Sequence, residues 1–365
     1  MSAPDIGARE RALVAEVMAG TQLSFGPMVE RFEAGIAAYA GRRFGIAVSS
    51  GTAGLHVGVR ALGIGAGDRV VTTAFSFVAS ANCLLYEGAV PVFADIDPIT
   101  YNIDPASVET AGTNAVALVP VDVFGQPCDF TRLAPIAERN GWRVIEDSCE
   151  AIGGTHAGRQ AGSLGELAVF AFYPNKQMTT GEGGVVVTDD PKLAELCRSL
   201  RNQGRGEGGD WLTHVRLGYN YRLDELSAAI GVAQLERLDD LIAERDDVAR
   251  RYSRSLASVD GLTLPRLGKD TTRMSWFVYV VLLDRGVDRD AVAAKLAAKH
   301  VPTRPYFRPI HLQPYYRERF GDLAGSLPVT EDVGRRALAL PFHGRLSDES
   351  IGYVTDALRH VLRAS

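Results

Sequence analysis

The first half of the chain alternates between two hydrophobic patterns. Short apolar runs rich in β-branched residues are separated by stretches in which apolar residues recur every three or four positions. The short runs predict seven strands, at FGIAVSS (44–50), RVVTTAF (69–75), PVFADI (91–96), AVALVPV (115–121), RVIEDS (143–148), LAVFAFY (167–173) and GGVVVTDD (183–190). Strands that alternate with helices form a largely parallel sheet flanked by helices, so the pattern predicts an α/β fold.

Helices are predicted between these strands and through much of the second half. Helical periodicity is present at 52–62, 76–87, 129–140 and, as one long run, 223–256. The signals of a second unit are a strand-like WFVYVVLL (276–283), a helix at 288–300, a proline- and aromatic-rich loop at 302–316, and a helix after Ser347 with Ile351, Val354, Leu358, Val361 and Leu362 on one face. We therefore expect a large domain at 1–245 and a smaller C-terminal α+β domain at 246–365.

Composition and charge exclude several classes of partner. The 365 residues are 46% hydrophobic, and their acids and bases are well mixed, with a net charge of −5. Such a chain favours neither nucleic acids nor anionic membranes, so small molecules are the expected ligands. No run approaches the roughly 18 apolar residues of a membrane helix, and the charged start MSAPDIGARERALVAEV is unlike a signal peptide. We therefore expect a cytoplasmic protein.

The cysteines and histidines show no metal-binding spacing. Cys83, Cys128, Cys149 and Cys197 are far apart, which is typical of reduced thiols rather than of disulfides or zinc ligands. The seven histidines are scattered too, so we expect no structural metal. The stretch GRGEGG (204–209) has the letters of a dinucleotide loop, but it follows a helix-like segment rather than a strand, and we expect no dinucleotide site there.

A single lysine, Lys176, stands between a hydrophobic strand and a glycine-rich turn in AFYPNKQMTTGEGGVVV (171–187). An isolated lysine is most often a solvated charge. This one follows an apolar strand, in a loop whose glycines allow the backbone to approach a ligand closely. An amine in such a partly dry place can form a Schiff base with a carbonyl. The position therefore suggests pyridoxal phosphate as a cofactor.

Pyridoxal phosphate also requires a carboxylate at its pyridine nitrogen, and Asp147 in VIEDS is the candidate. At the end of an apolar strand it would keep this nitrogen protonated, so that the ring can accept electrons. The alternative is that Asp147 caps a following helix, a common role for aspartate. Its neighbour Glu146 points to the opposite face of an alternating strand, so only one of the two can face the ligand.

A phosphate-binding turn is predicted at SSGTAGLH (49–56), which runs from a strand through a Ser-Gly-Thr turn into a helix. Free amides and the positive end of the helix dipole meet there, and the Thr52 hydroxyl adds a donor. Alone the pattern is weak, because Ser or Thr at a helix start is usually a cap. Phe77, which follows the next strand, is the candidate for stacking on the cofactor ring, although a phenylalanine there is more often part of a core.

Several long motifs occur together and in a familiar order. They are SSGTAGLH (49–56), PVFADID and YNIDP within 91–105, VFGQP (123–127), VIEDSCEAIGG (144–154), FYPNKQMTTGEGG (172–184), LGYNYRLDELSAAIGVAQLERL (217–238) and PYFRPIHLQPYY (305–316). Through them the chain resembles the DegT/StrS-type sugar aminotransferases, which are pyridoxal-phosphate enzymes of fold type I. The resemblance covers almost the whole length.

The resemblance implies a transferase of fold type I in which Lys176 is the Schiff-base lysine and Asp147 the partner of the pyridine nitrogen. Family members that have lost this lysine perform a dehydration, and Lys176 argues against that branch. The remaining cofactor contacts that the resemblance implies are Gly51, Thr52 and Ala53 at the phosphate and Phe77 against the ring.

Three further positions are interpreted through the family. Asn220 matches an asparagine that reaches the phosphate of the neighbouring subunit's cofactor, which implies a homodimer with shared active sites. Glu150, beside the cofactor, stands where the family often has glutamine, and an added acid there can alter which substrate fits. Ala171 replaces a serine that binds the phosphate in many relatives.

The implied reaction is an amino transfer from L-glutamate, through pyridoxamine phosphate, to a keto group of a nucleotide-linked deoxysugar, with a 4-keto-6-deoxy sugar favoured. Lys176 would act as nucleophile, base and acid in turn. Tyr306, Arg308 and His311 are candidate substrate contacts, with aromatic packing as an equal alternative for each. Two other functions stay open at this point: amino transfer to a keto-cyclitol, and a non-catalytic regulatory protein that binds pyridoxal phosphate.

Overall fold

The computed structural model describes residues 3–206 and 212–363. Residues 207–209 of the GRGEGG stretch therefore lie outside the described residues. The helices are α1 (Ala8–Ala19), α2 (Pro27–Tyr39), α3 (Gly51–Ala61), α4 (Ala79–Tyr86), α5 (Pro105–Ala111), α6 (Phe130–Asn140), α7 (Pro191–Arg201), α8 (Glu225–Leu235), α9 (Leu238–Leu256), α10 (Arg289–Ala298), α11 (Pro314–Phe320), α12 (Pro328–Arg336) and α13 (Asp348–Arg363).

The strands form one large sheet and two small ones. They are β1 (Phe44–Val48), β2 (Arg69–Thr73), β3 (Val90–Ala94), β4 (Ala115–Val119), β5 (Arg143–Asp147), β6 (Thr155–His156), β7 (Arg159–Gln160), β8 (Leu167–Ala171), β9 (Gly184–Thr188), β10 (Leu262–Thr263), β11 (Thr271–Arg273), β12 (Tyr279–Leu283) and β13 (Ala337–Leu340). The small sheets have the orders β10-β12-β13 and β11-β6-β7.

The large sheet contains all seven predicted strands, in the order β1-β9-β8-β5-β4-β2-β3. Strand β9 pairs antiparallel with both of its neighbours, and the other pairs are parallel, so the predicted mostly parallel sheet is confirmed. Most strands end two residues before the predicted position. The chain leaves the sheet there because these residues turn into the loops that carry the polar side chains.

Helix α3 lies unusually close to the sheet because two of its residues have no side chain. A Cβ atom on Gly54 would be 2.6 Å from Val169 Cγ1, and one on Gly58 would be 2.9 Å from Leu167 Cδ1. Real Cβ atoms do not approach other atoms so closely. The two glycines therefore set the distance between α3 and β8, and they hold the first turn of α3 at the carboxyl end of the neighbouring strands.

The predicted single helix over 223–256 is wrong, since the structure divides it into α8 and α9. The break falls at Arg237, which leaves helical geometry while its guanidinium binds the carboxylates of Asp5 and Glu10. Local helical periodicity continues across this point, and only the contact with the N-terminal residues explains the interruption.

Helix α9 joins two cores. Leu241 and Ile242 pack with the core under the large sheet, whereas Val248 and Tyr252 pack with the core of the β10-β12-β13 sheet. The predicted domain boundary at residue 245 lies within this continuous helix, and the division into domains stays a prediction. The C-terminal helix is confirmed as α13, and its apolar face is buried except for the partly buried Leu362.

Residues 3–206 and 212–363 contain neither a membrane-spanning helix nor a cluster of metal ligands. In this part of the chain, none of the helices combines the length and the apolar character needed to cross a bilayer. Nor do three or more His, Cys, Asp or Glu side chains in these segments lie together as a metal site would require. All four cysteines fall within the described segments, as free thiols.

Candidate active site

A cavity of about 410 Å³ opens at the carboxyl ends of the central strands. Parallel α/β sheets bind ligands at this edge, because the loops that follow the strands converge there. The loops after β1, β2, β5 and β8 form its floor, and residues of the C-terminal unit close one side. The residues used below are Ser50, Gly51, Thr52, Phe77, Ser80, Asp147, Glu150, Asn175, Lys176, Phe277 and Tyr306.

Lys176 lies in the turn after β8, with its side chain only 12% exposed. Its backbone N–H donates to the Tyr173 carbonyl at 2.9 Å, which fixes the turn. The amine nitrogen Nζ lies 3.5 Å from Glu150 Oε1 and 3.9 Å from the centroid of the Phe277 ring. The lysine amine is therefore largely shielded and held between an acid and an aromatic face, rather than extended into solvent.

Glu150 is buried beside this lysine. Its Oε2 accepts a hydrogen bond from the Phe124 backbone N–H at 3.0 Å. Gln177 Nε2 donates to the Glu150 carbonyl at 2.5 Å and to Ser275 Oγ at 2.8 Å. Burial raises the pKa of Glu150 above its ordinary value, and the nearby Lys176 ammonium opposes that rise.

Asp147 is the last residue of β5 and is 2% exposed. Its Oδ2 accepts from the Ser80 hydroxyl at 2.6 Å, and its Oδ1 accepts from the Cys149 N–H at 3.2 Å. No helix begins after it within the described residues until α7 at Pro191, which removes the helix-cap alternative. Two fixed hydrogen bonds hold the carboxylate at the cavity floor.

Glu146 serves the opposite face of β5, as alternation predicted. Its carboxylate accepts backbone N–H groups from Gly162 at 2.6 Å, Leu164 at 3.0 Å and Gly165 at 3.2 Å. These bonds shape the loop before β8. Of the two neighbouring acids, Asp147 alone faces the cavity.

The first turn of α3 reaches the cavity through Gly51 and Thr52. Ser50 caps the helix, and its Oγ accepts from the Ala53 N–H at 3.1 Å. Ala53 is buried and its amide is used by this cap, so its predicted phosphate contact stays a prediction. The positive end of the α3 dipole is nevertheless directed at the cavity, where an anion would be stabilised.

The other predicted cofactor residues occupy different environments. Phe77 is on the cavity wall and 62% exposed, in the loop before α4, which begins at Ala79 rather than at the predicted residue 76. Asn220 is exposed and forms an isolated backbone bridge with Asn202. It is not among the residues that line the cavity of its own chain. Its proposed contact with a second subunit stays a prediction.

The three predicted substrate residues also lie in different environments. Tyr306 lines the cavity, and burial raises its pKa to about 12. Arg308 is exposed, two residues further along the same loop. His311 is fully buried, with Nε2 3.1 Å from Glu331 Oε1, and packs against Phe93. The structure thus brings only Tyr306 to the cavity.

Several residues of the site could not be found from the sequence. Ser80 is the second residue of the largely apolar helix α4, and Phe277 resembles an ordinary strand residue. Arg245 lies among charged residues that resemble a solvent-facing helix surface, yet it is 5% exposed. Its guanidinium donates to the carbonyls of Lys176 at 2.7 Å, Trp276 at 3.1 Å and Phe277 at 3.3 Å. Burial lowers the pKa of Arg245 to about 10.

The side chains present fit pyridoxal phosphate. The cavity offers an amine, a fixed carboxylate and a helix N-terminus, the three groups that bind the aldehyde, the pyridine nitrogen and the phosphate of this cofactor. Asn175 adds a buried Oδ1 on the cavity wall that has no hydrogen-bond partner among the described residues. A buried acceptor of this kind is a place for a donor from a bound ligand.

Comparisons with known proteins agree over the whole chain. The family model described as DegT/DnrJ/EryC1/StrS aminotransferase family matches residues 4–359. The chain is similar to GDP-perosamine synthase of Caulobacter vibrioides, with 39% identity over 99% of this chain and 98% of that protein. Spore coat polysaccharide biosynthesis protein SpsC of Bacillus subtilis is 36% identical over 100% and 97%. The crystal structure of S. venezuelae DesV is 35% identical, with a TM-score of 0.91 over 97% and 94%.

Proposed function

Because the chain belongs to the DegT/DnrJ/EryC1/StrS aminotransferase family, we propose that it transfers an amino group from L-glutamate to a keto group of a nucleotide-linked deoxysugar. A 4-keto-6-deoxy sugar is the favoured acceptor. The observation that carries the proposal is that the Lys176 amine, the Asp147 carboxylate and the N-terminus of α3 meet in one cavity. The name GDP-perosamine synthase, borne by a relative 39% identical, supports a sugar linked to a nucleotide.

The family implies pyridoxal phosphate, with pyridoxamine phosphate as its aminated form. When bound, this cofactor supplies an electron-accepting ring that stabilises negative charge on the carbon next to the transferred nitrogen. In the proposal Lys176 would hold its aldehyde carbon and Asp147 its pyridine nitrogen. The other residues that would hold it are Gly51, Thr52 and Ala53 at the phosphate, Phe77 against the ring and Glu150 beside Lys176.

Each of the residues around the cavity has a separate role in the proposed reaction. Lys176, once its amine is free, would take the proton from the substrate carbon that bears the transferred nitrogen and would deliver it to the cofactor carbon on the other side of that nitrogen, which makes it base and then acid. Asp147 is held in one orientation by Ser80 and by the Cys149 N–H, so that its charge stays aimed at one point of the cavity. The Phe277 ring lies against the amine, and Tyr306 lines the same cavity.

The acceptor is proposed to bind near Tyr306, with Arg308 at the outer edge of the same loop. An exposed arginine there suits the phosphates of a nucleotide-linked sugar. His311 would act within this loop through its buried contact with Glu331. The keto-cyclitol alternative would need no diphosphate recognition, so Arg308→Ala separates the two acceptor classes.

We also propose a homodimer with shared active sites and a cytoplasmic location. Asn220 is exposed. Its sequence neighbours Val215 and Leu217 are apolar and 56% and 76% exposed, which supports a surface that a second subunit covers.

The four free thiols support the proposed cytoplasmic location, because the cytoplasm is a reducing compartment.

The visible spectrum of the purified protein tests the proposal. We expect a yellow absorption band with bound pyridoxal phosphate, which fades when L-glutamate is added and which Lys176→Ala lacks. No band after the cofactor is supplied would overturn the proposed function. A band that persists with L-glutamate would overturn the donor, and turnover of keto-inositols but not of keto-sugar nucleotides would establish the cyclitol alternative.

A further inference from the structure

The amine of Lys176 lies between two groups from distant parts of the chain. Its Nζ is 3.5 Å from Glu150 Oε1 and 3.9 Å from the centroid of the Phe277 ring. Phe277 is 3% exposed and the Lys176 side chain 12% exposed, so both partners of this contact are largely shielded from solvent. We propose that Glu150 and Phe277 form an ammonium cradle, which stabilises the charged form of Lys176 whenever this amine is free. Phe277 is then a positioning residue that acts through Lys176.

A single residue fixes the width of the cradle. The N–H of Phe124 donates to Glu150 Oε2, and its carbonyl accepts from the Phe277 N–H, each at 3.0 Å. The Phe277 carbonyl also accepts from Arg245 Nη1 at 3.3 Å, and its ring meets the Tyr306 ring edge-on at 6.1 Å. Hydrogen bonds to Phe124 thus hold the Glu150 carboxylate and the Phe277 backbone, and the Tyr306 ring packs against the Phe277 ring itself.

The role of the cradle rests on the proposed function. As Lys176 takes the proton of the substrate carbon, the C–H bond breaks, an N–H bond forms and the electron pair stays on the carbon side. The neutral amine thereby becomes an ammonium. A carboxylate and the negative face of an aromatic ring both favour that product. When the proton is delivered to the carbon on the other side of the transferred nitrogen, the amine is neutral again and can act in the next cycle.

Other titratable groups line the two cavities that Lys176 borders. Around the main cavity they are Asp147, Cys149, Tyr173, Glu182 and Tyr306, and across a second cavity of about 220 Å³ behind the loop they are Asp5, Glu244, Arg245, His343 and Arg345. A substitution of Phe277 removes none of them. A change in the titration of Lys176 caused by that substitution therefore reports on the ring.

The experiment follows the pH dependence of Lys176 labelling by trinitrobenzenesulfonate in the full-length protein freed of cofactor. Peptide mass spectrometry separates Lys176 from the exposed Lys192, which serves as an internal reference. We expect Phe277→Leu to lower the midpoint pH of Lys176 labelling by about one unit, the shift that a desolvated cation–π contact supplies. Phe277→Tyr keeps the ring and should keep the wild-type midpoint. Glu150→Gln should lower the midpoint as well.

Each outcome of the labelling experiment either supports or overturns the cradle. An unchanged midpoint in Phe277→Leu overturns the cradle, and so does an equal shift in Phe277→Leu and Phe277→Tyr, because packing alone would then explain it. If Phe277→Leu fails to fold, Phe277→Met fills a similar volume without a ring and carries the same expectation. Labelling needs neither cofactor nor substrate. The cradle proposal can therefore be overturned while the aminotransferase proposal stands, and the aminotransferase proposal can be overturned while the cradle proposal stands.

Discussion

Removal of the Ser80 hydroxyl should weaken catalysis although Ser80 lies behind the reacting groups. Its Oγ donates to Asp147 Oδ2 at 2.6 Å, and both residues are 2% exposed. Ser76 Oγ lies 2.7 Å from Ser80 Oγ, and since Ser80 gives its proton to Asp147, Ser76 must donate to Ser80. The three groups form a short directed chain that ends on the carboxylate.

The magnitude follows from the loss of a hydrogen bond to a buried charge. Such a bond contributes roughly 1.5–3 kcal/mol, which corresponds to roughly a 10- to 150-fold loss of rate if all of it acts in the transition state. Ser80→Ala should therefore lower kcat/KM within that range, measured with saturating pyridoxal phosphate. Ser76→Ala is the matched control, because it leaves the bond to Asp147 in place, and its loss should be below roughly threefold.

Wild-type kcat/KM in Ser80→Ala would refute this reasoning, because the Ser80 hydroxyl would then not be what orients Asp147. An equal loss in Ser76→Ala and Ser80→Ala would refute it too, because general disturbance of the loop before α4 would explain both. Thermal unfolding of the two variants shows whether either has lost its fold.

Three further predictions concern stability and assembly. Because burial raises the pKa of Glu150 above its ordinary value of 4.5, the folded chain binds a proton more tightly than the unfolded one. The free energy of unfolding of the cofactor-free protein, measured by urea titration, should therefore fall as pH rises from about 4.5 through the folded pKa. Glu150→Gln should remove this part of the fall. If the pH dependence is the same in Glu150→Gln and wild type, Glu150 is not the group responsible. Arg245→Met leaves three carbonyls without their donor and should lower the free energy of unfolding by roughly 2–4 kcal/mol, whereas the surface variant Arg250→Met should change it by less than roughly 0.5 kcal/mol. The proposed homodimer with shared sites predicts that Lys176→Ala and Asn220→Ala are each inactive but recover activity after subunit exchange, because a mixed dimer would contain one intact shared site. No recovery would exclude shared sites.

The strands and the lysine–aspartate pair could be predicted because their signals are local. Each central strand is a short apolar run bounded by polar turns, and Lys176 and Asp147 follow such runs directly. The parallel sheet then brings strand ends together without further information. Gly51 and Thr52 were predictable for the same reason, since a strand, a turn and a helix start follow each other there.

The remaining parts of the site depend on contacts between distant segments. Arg245 looks like one of many charges on α9, and only the fold shows that its guanidinium reaches three carbonyls. Phe277 looks like core, because its neighbours continue as β12. His311 differs in the opposite sense, since a polar residue in an aromatic loop suggests a substrate contact, whereas in the structure it is buried beside Glu331, and its substrate contact stays a prediction. The break at Arg237 likewise depends on residues more than two hundred positions away.

The close fit of α3 on β8 means that the floor of the cavity, which includes the first turn of α3, cannot accept added side chains at Gly54 and Gly58. The loop around Tyr306 and Arg308, at the rim of the cavity, is not part of this fit. Any side chain at Gly54 or Gly58 would lift the helix from the sheet and carry its first turn away from the cavity. If the proposed acceptor site is right, a library of variants that seeks new acceptors should keep both glycines and vary the loop around Tyr306 and Arg308. In the proposed function, the sheet and α3 fix the residues that would hold the cofactor, and the acceptor loop lies on a separate segment.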